Sequence, residues 1–286
     1  MRGNLLDIST KIDPFTLEVL TIVSKITVTL KMDFFVIGAT ARDFIFNLVH
    51  NIKIQRGTND IDFSVLVKNW DDYSKLTNSL QENNFSPSKI VHRFTYKAIP
   101  SIDLIPFGEI SINSTTIKWP DKEAKEMSVV GFEECYLDSE IVRIQTDPTL
   151  EIKVTSTRGL VLMKLISWKD GYPSRSRDAL DISYIIKNYI EAGNMDRLQS
   201  EHADLITEQF DFELTGATLL GRDISQIARP ATLEYLINIL EEEIKEGSNS
   251  KFISDMLIGI SGVTDRDEMI QHNSNILKNL LDGLKN

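Results

Sequence analysis

The sequence predicts an α+β protein, a small mixed sheet flanked by helices over residues 1–150 followed by a C-terminal helical region over residues 151–286. Two observations lead there. Up to about residue 150, short β-type apolar runs alternate with helical patterns, which taken alone fits an α/β or an α+β layer with a small sheet. From residue 155 onward, apolar residues recur at three- and four-residue spacing, the period of a helix with one buried face.

In chain order, a helix starts at Pro14, whose fixed φ suits a first helical turn, with Asp13 as its cap and Leu17, Leu20 and Val23 on one face. Phe34-Phe35-Val36-Ile37 is a short buried strand ending at Gly38. Residues 40–49 read as a helix, 51–59 are polar and break the periodicity, and 60–67 form the next strand. After a helix over 70–81, strands are expected at 90–96, 101–105, 115–118, 128–130 and 141–144. Helices follow at 159–168, 175–190, 195–210, 212–220 and 231–245. Gly221 is expected to end one helix and Asp223 to cap the next, and residues 246–250 (EGSNS) to form a surface loop.

A chain of 286 residues, 42% hydrophobic and 26% charged, can bury a real core. Its 31 basic and 42 acidic residues give a formal charge of −11, which opposes non-specific attraction to a nucleic-acid backbone. Any nucleic-acid contact must therefore be local. Cys135 is the only cysteine, so no intramolecular disulfide is possible, and the four histidines lie far from it in sequence, without zinc spacing. No apolar run approaches the roughly 18 residues that span a bilayer, and Asp7 and Asp13 interrupt the stretch where a secretion signal would be apolar. A cytoplasmic protein without membrane contact is expected.

The chemistry is concentrated in Asp60-Ile61-Asp62-Phe63-Ser64-Val65. Alternate strand residues point to opposite faces, so Asp60 and Asp62 project side by side while Ile61, Phe63 and Val65 turn inward. Neighbouring carboxylates repel unless a cation or proton intervenes, and hard oxygen ligands on a rigid strand suit Mg²⁺ bridging to phosphates. A solvated sheet face would explain the pair alone. Upstream, Val36-Ile37-Gly38-Ala39-Thr40-Ala41-Arg42-Asp43 runs from strand through glycine into helix, a turn that brings backbone N–H groups close to a ligand. Downstream, Ser101-Ile102-Asp103-Leu104-Ile105-Pro106 places Asp103 opposite its apolar neighbours.

The glycine turn, the Asp60-x-Asp62 strand roughly twenty residues later and the third acid resemble the nucleotidyltransferase superfamily that includes DNA polymerase beta. Arg42-Asp43 adds a likeness to tRNA CCA-adding and poly(A) polymerases. Arg56-Gly57-Thr58 ahead of Asn59-Asp60-Ile61-Asp62, with Lys164 on one helix and Arg177-Asp178-Ala179-Leu180-Asp181 opening the next, is similar to the AbiEii/MenT group of bacterial nucleotidyltransferases, many of them toxins.

The resemblance implies a nucleotidyltransferase fold in which Asp60, Asp62 and Asp103 are catalytic and hold Mg²⁺ in a two-metal arrangement, Asp103 acting as general base. Gly38, Ala39, Thr40 and Arg42 would contact the nucleotide. Lys164 would bind the triphosphate, and Asp178 would orient it or the metal site; Asp181 would support its helix start and Arg222 could reach a phosphate. Superfamily members usually carry Gly-Gly or Gly-Ser where this chain has Gly38-Ala39, so the missing hydroxyl is expected from Thr40. The implied reaction moves a nucleoside monophosphate from an NTP to a hydroxyl of RNA, such as a tRNA end, or of protein, and releases pyrophosphate. A toxin role would bring an antitoxin protein as partner. Two alternatives stand beside it: a non-catalytic nucleotide-binding sensor that kept the fold, and an unrelated α/β protein with a solvated acidic strand.

Overall fold

Residues 5–54, 56–58, 60–97, 101–120, 126–258 and 265–286 are described by the computed structural model of the chain, which divides into two compact units, Met1–Ser156 and Thr157–Asn286.

The first unit is built on a mixed sheet. Its strands are β1 (Leu6–Asp7), β2 (Asp33–Ile37), β3 (Ile61–Leu66), β4 (Phe85–Pro87), β5 (Arg93–Tyr96) and β6 (Ser101–Phe107), then, beyond the separate hairpin of β7 (Thr116–Lys118) and β8 (Glu126–Ser128), β9 (Glu140–Thr146) and β10 (Thr149–Val154). The spatial order is β1-β9-β10-β2-β3-β6-β5-β4. The pairs β1/β9, β10/β2 and β3/β6 are parallel, and the other neighbours are antiparallel. Phe63, Val65, Ile102 and Leu104 are fully buried or nearly so, which is the burial that alternation predicts for the inward residues of β3 and β6, while in β2 the consecutive Phe35 and Val36 are both buried.

Helix α1 (Pro14–Leu30) begins as the sequence predicts, with the Asp13 carboxylate accepting from the Thr16 N–H and Pro14 in the first turn. It ends at Lys31, which is left-handed. Helix α2 (Gly38–Asp43) passes directly into a π-helical segment, Phe44–Val49. α3 (Trp70–Glu82) is capped by the Asn69 side chain, and the short α4 (Phe132–Leu137) precedes β9.

Several boundaries differ from expectation. β1, β4, β10 and α4 lie outside the expected elements: β1 and β4 are too short to show a period, whereas in β10 Leu150, Ile152 and Val154 alternate as a half-buried strand does. β10 also carries the sheet past residue 150 to Val154.

The second unit comprises α5 (Thr157–Gly171), α6 (Arg177–Asn188), α7 (Met195–Ser200), α8 (Phe212–Ile227), α9 (Pro230–Glu246), α10 (Lys251–Met256) and α11 (Arg266–Lys285). The helix expected over 195–210 stops at Ser200, where a polar run continues through Asp204 without an apolar period, and only a 3₁₀ turn follows at Ala203–Leu205. Gly221 does not end a helix, and Asp223 caps none; both lie inside α8. A Cβ on Gly221 would fall 2.3 Å from the Leu280 carbonyl and 2.8 Å from the Gly283 Cα, so this glycine permits α8 and α11 to cross backbone on backbone. Asp223 is fully buried and bound by Arg197 at 2.6 Å and by the Tyr189 hydroxyl. Nor is 246–250 wholly a surface loop. Its Gly247–Asn249 turn leads to Ser250, which is buried, donates to Glu243 at 2.7 Å and caps α10. No helix among the described residues is long and apolar enough to cross a membrane.

Candidate active site

The strand-to-helix turn at Gly38 is dictated by its neighbour. Gly38 has φ +65, and a Cβ there would lie 2.1 Å from Asp62 Oδ2. Only glycine lets the Asp62 carboxylate rest against the turn. Ile37 and Asp62 face each other across the antiparallel β2/β3 pair, and on the other side Asp62 is in register with Asp103 across the parallel β3/β6 pair. Asp60 immediately precedes β3, on the same alternation as Asp62. The two sequence motifs are therefore one structural feature.

Asp60 is fixed through its backbone. Its carbonyl accepts from Thr40 Oγ1 at 2.9 Å and from Thr58 Oγ1 at 3.3 Å, and its N–H donates to Thr58 Oγ1 at 3.2 Å. Thr40 is 5% exposed, so the hydroxyl expected to meet phosphate is committed to positioning Asp60. Arg42, expected to contact nucleotide, is 2% exposed; its guanidinium is held by Asp43 at 2.6 Å and by the Arg56 carbonyl at 2.6 Å, bracing the approach to β3 against α2. Gly38 and Ala39 remain half-buried at the turn.

Arg93 was not anticipated. It lies opposite Asp103 across the antiparallel β5/β6 pair and binds it with a two-pronged contact, Nε to Oδ1 and Nη2 to Oδ2, both 2.7 Å. That hydrogen-bonded pair, with the further negative charges of Asp60 and Asp62, holds the guanidinium above its usual range. Asp62, Asp103 and Arg93 thus stand abreast on three adjacent strands. Beside them His92 packs its ring on Trp119, and burial pushes its pKa down against the opposing pull of Asp103. The only signal for Arg93 in the sequence is its alternation with the buried Phe94 and Tyr96, which does not reveal a partner.

A cleft of about 700 Å³ opens beside Asp60, walled by Phe15, Phe44, Leu48 and Ile61 and flanked by Lys11 and Lys97. Lys11 is tethered by the Leu48 carbonyl and Asn51, and Lys97 by Glu18. The oxygen-only donors Asp60 and Asp62 on a rigid strand fit Mg²⁺ chemically. Among the described residues, however, no group of three His, Cys, Asp or Glu side chains stands ready to hold a metal.

The remaining predicted residues form a cluster in the second unit. Lys164 of α5 is 5% exposed and binds Asp178 at 2.9 Å and Asp181 at 2.7 Å, both on α6, while Arg175 binds Asp178 at 2.7 Å. Asp181 therefore does more than support a helix start: it shares the buried lysine. Arg222 is engaged by Asp204 at 2.7 Å.

Comparison with known proteins gives a family. A family model described as nucleotidyl transferase AbiEii toxin, type IV toxin–antitoxin system, matches residues 23–260. No curated protein matches the chain. Among solved structures, an antigenic nucleotidyltransferase-like protein from Paracoccidioides brasiliensis is similar at 16% identity, covering 66% of this chain and 89% of that one, with a TM-score of 0.39. The antibiotic-resistance factor ANT(2'')-Ia shares 9% identity over 68% of this chain and 96% of its own, TM-score 0.37. A CCA-adding enzyme in its apo form shares 14% over 96% and 81%, TM-score 0.34. Likenesses this distant carry no weight of their own, and the assignment rests on the family match, which spans most of the chain and sets aside an unrelated α/β protein. With the glycine turn and acidic strand inside the matched region, the chain belongs to the AbiEii family of nucleotidyltransferases and is a transferase.

Proposed function

We propose that the chain moves a nucleoside monophosphate from an NTP to a hydroxyl of RNA, such as a tRNA end, or of a protein side chain, acting as a toxin that an antitoxin protein counters. The observation that carries this is the Asp62 carboxylate seated on the Gly38 turn and in register with Asp103. Mg²⁺, when bound, would offset the charge of the triphosphate and of the departing pyrophosphate, and Asp60 and Asp62, joined by Asp103, are the side chains that would hold it.

In the reaction the acceptor oxygen bonds to the α-phosphorus as the bond from that phosphorus to the pyrophosphate oxygen breaks. Asp103 takes the hydroxyl proton. The cleft beside Asp60 suits the nucleoside, since the half-buried Phe15 in its lining can stack on a base. Thr40 holds the Asp60 backbone, and Arg42 ties α2 to the Arg56 carbonyl on the approach to β3.

The test is incubation with each labelled NTP, Mg²⁺ and total RNA or protein extract from the native host, following label and pyrophosphate. Asp60→Asn should abolish transfer with the fold intact. Asp103→Asn should still bind NTP yet lose transfer by at least the ~10²-fold typical of lost acid–base assistance. Wild type that releases no pyrophosphate with any NTP and acceptor refutes the reading, and an active Asp103→Asn refutes the base assignment.

A further inference from the structure

Both oxygens of the Asp103 carboxylate are occupied by the Arg93 fork at 2.7 Å, in the plane where a metal or a transferred proton would approach. Asp103 is largely covered, with its side chain 14% exposed, whereas Arg93 is 31% exposed and can leave toward solvent. The guanidinium also feels Asp60 and Asp62, so one cation answers a cluster of three carboxylates that would otherwise repel. A divalent cation would answer the same cluster. Arginine and metal are thus alternative counter-ions for one group, and a guanidinium fork matches phosphate as well as it matches carboxylate.

We propose that Arg93 is a positioning residue that holds Asp103 out of the metal site in the free protein and transfers its fork from Asp103 to a phosphate of the incoming NTP, so that the three acids assemble only when nucleotide is present. The inference rests on reading Asp60, Asp62 and Asp103 as one metal site. It accounts for why Asp62 and Asp103 lie in register, with Asp60 just ahead of β3, without the three acids standing as a ready ligand set. Free metal then meets a guarded site, and a metal–nucleotide complex brings both the cation for Asp103 and the anion for Arg93.

Mn²⁺ binding to the full chain without nucleotide, followed by the paramagnetic signal of the free ion, tests the first half. Arg93→Gln should bind Mn²⁺ tighter than wild type by about three- to tenfold, the scale of one bidentate charged contact released. Adding Asp103→Asn to both forms should erase that difference. NTP affinity in Mg²⁺, measured by calorimetry, tests the second half and should fall several-fold in Arg93→Gln. A folded Arg93→Gln with unchanged or weaker Mn²⁺ binding overturns the guard; unchanged NTP affinity overturns the hand-over to phosphate. If Arg93→Gln does not fold, Arg93→Lys, which keeps charge but loses the fork, takes its place with a smaller gain expected and the same overturning result. Mn²⁺ binding to neither form overturns the metal-site reading along with the guard, whereas equal binding to both overturns the guard alone.

Discussion

At Gly38 a single hydrogen lets the Asp62 carboxylate rest against the turn where a methyl group would displace it. Gly38→Ala would add strain of about 1–2 kcal/mol by forcing a non-glycine residue into the left-handed region. The new Cβ would also meet Asp62 at Oδ2 (2.1 Å), Cγ (2.9 Å) and Cβ (3.1 Å), so the carboxylate would swing aside and the turn and β3 would give by a few tenths of an ångström as well. We therefore expect a modest fall in thermal stability with near-complete loss of transfer; an active Gly38→Ala would remove the link between turn and acid. Gly57→Ala is the control, since a Cβ there meets nothing within 4 Å. The glycine, the two acids on one strand face and Asp103 on another were all legible in the sequence, because alternation and a strand-to-helix turn are local. What Thr40 and Arg42 do was not. Their side chains suggested ligand contacts, but one is bound to the Asp60 carbonyl and the other to Asp43 and the Arg56 carbonyl.

Between elements of the helical unit, α8 and α11 cross backbone on backbone at Gly221 and Gly283. Gly221→Ala would set a methyl group 2.3 Å from the Leu280 carbonyl, and Gly283→Ala would set one 2.2 Å from the Thr218 carbonyl. Backbone cannot rotate away as a side chain can, so the helices must part. Each change should lower stability by about 1–3 kcal/mol, as overpacking does, and more if the crossing opens. Denaturant unfolding of each variant checks this; neutrality would mean that the crossing is looser than the structure has it. Lys164 joins α5 to α6 through two buried carboxylates. Lys164→Ala leaves them without that cation and should cost about 3–5 kcal/mol, whereas combining Lys164→Met with Asp178→Asn and Asp181→Asn should recover much of the loss. A Lys164→Ala protein of normal stability would return the residue to a nucleotide-binding role alone. Any rise in KM for NTP in that variant must be judged against its melting curve. The sequence placed these residues on consecutive helices, but a lysine and two acids at helical spacing do not announce that they meet in the interior.

The molecule as a whole carries a formal charge of −11, and that limits how it can engage RNA. Association with any RNA acceptor should show a shallow salt dependence, with a log–log slope no steeper than about −3, because few phosphates can be neutralised against this background. Filter-binding or fluorescence titration from low to physiological salt measures it, and a slope several-fold steeper would point to a basic surface that composition conceals. The amino-acid pattern by itself determined an α+β chain with its sheet ahead of a helical region, the inward and outward faces of β3 and β6, and the glycine turn ahead of the acidic strand, because periodicity and turn chemistry act over a few residues. Only the tertiary structure decided that Arg93 occupies Asp103, that Gly221 meets Gly283 and that Lys164 is shared by two aspartates. Those pairings depend on strand register and helix packing between separate elements, and no local period encodes them.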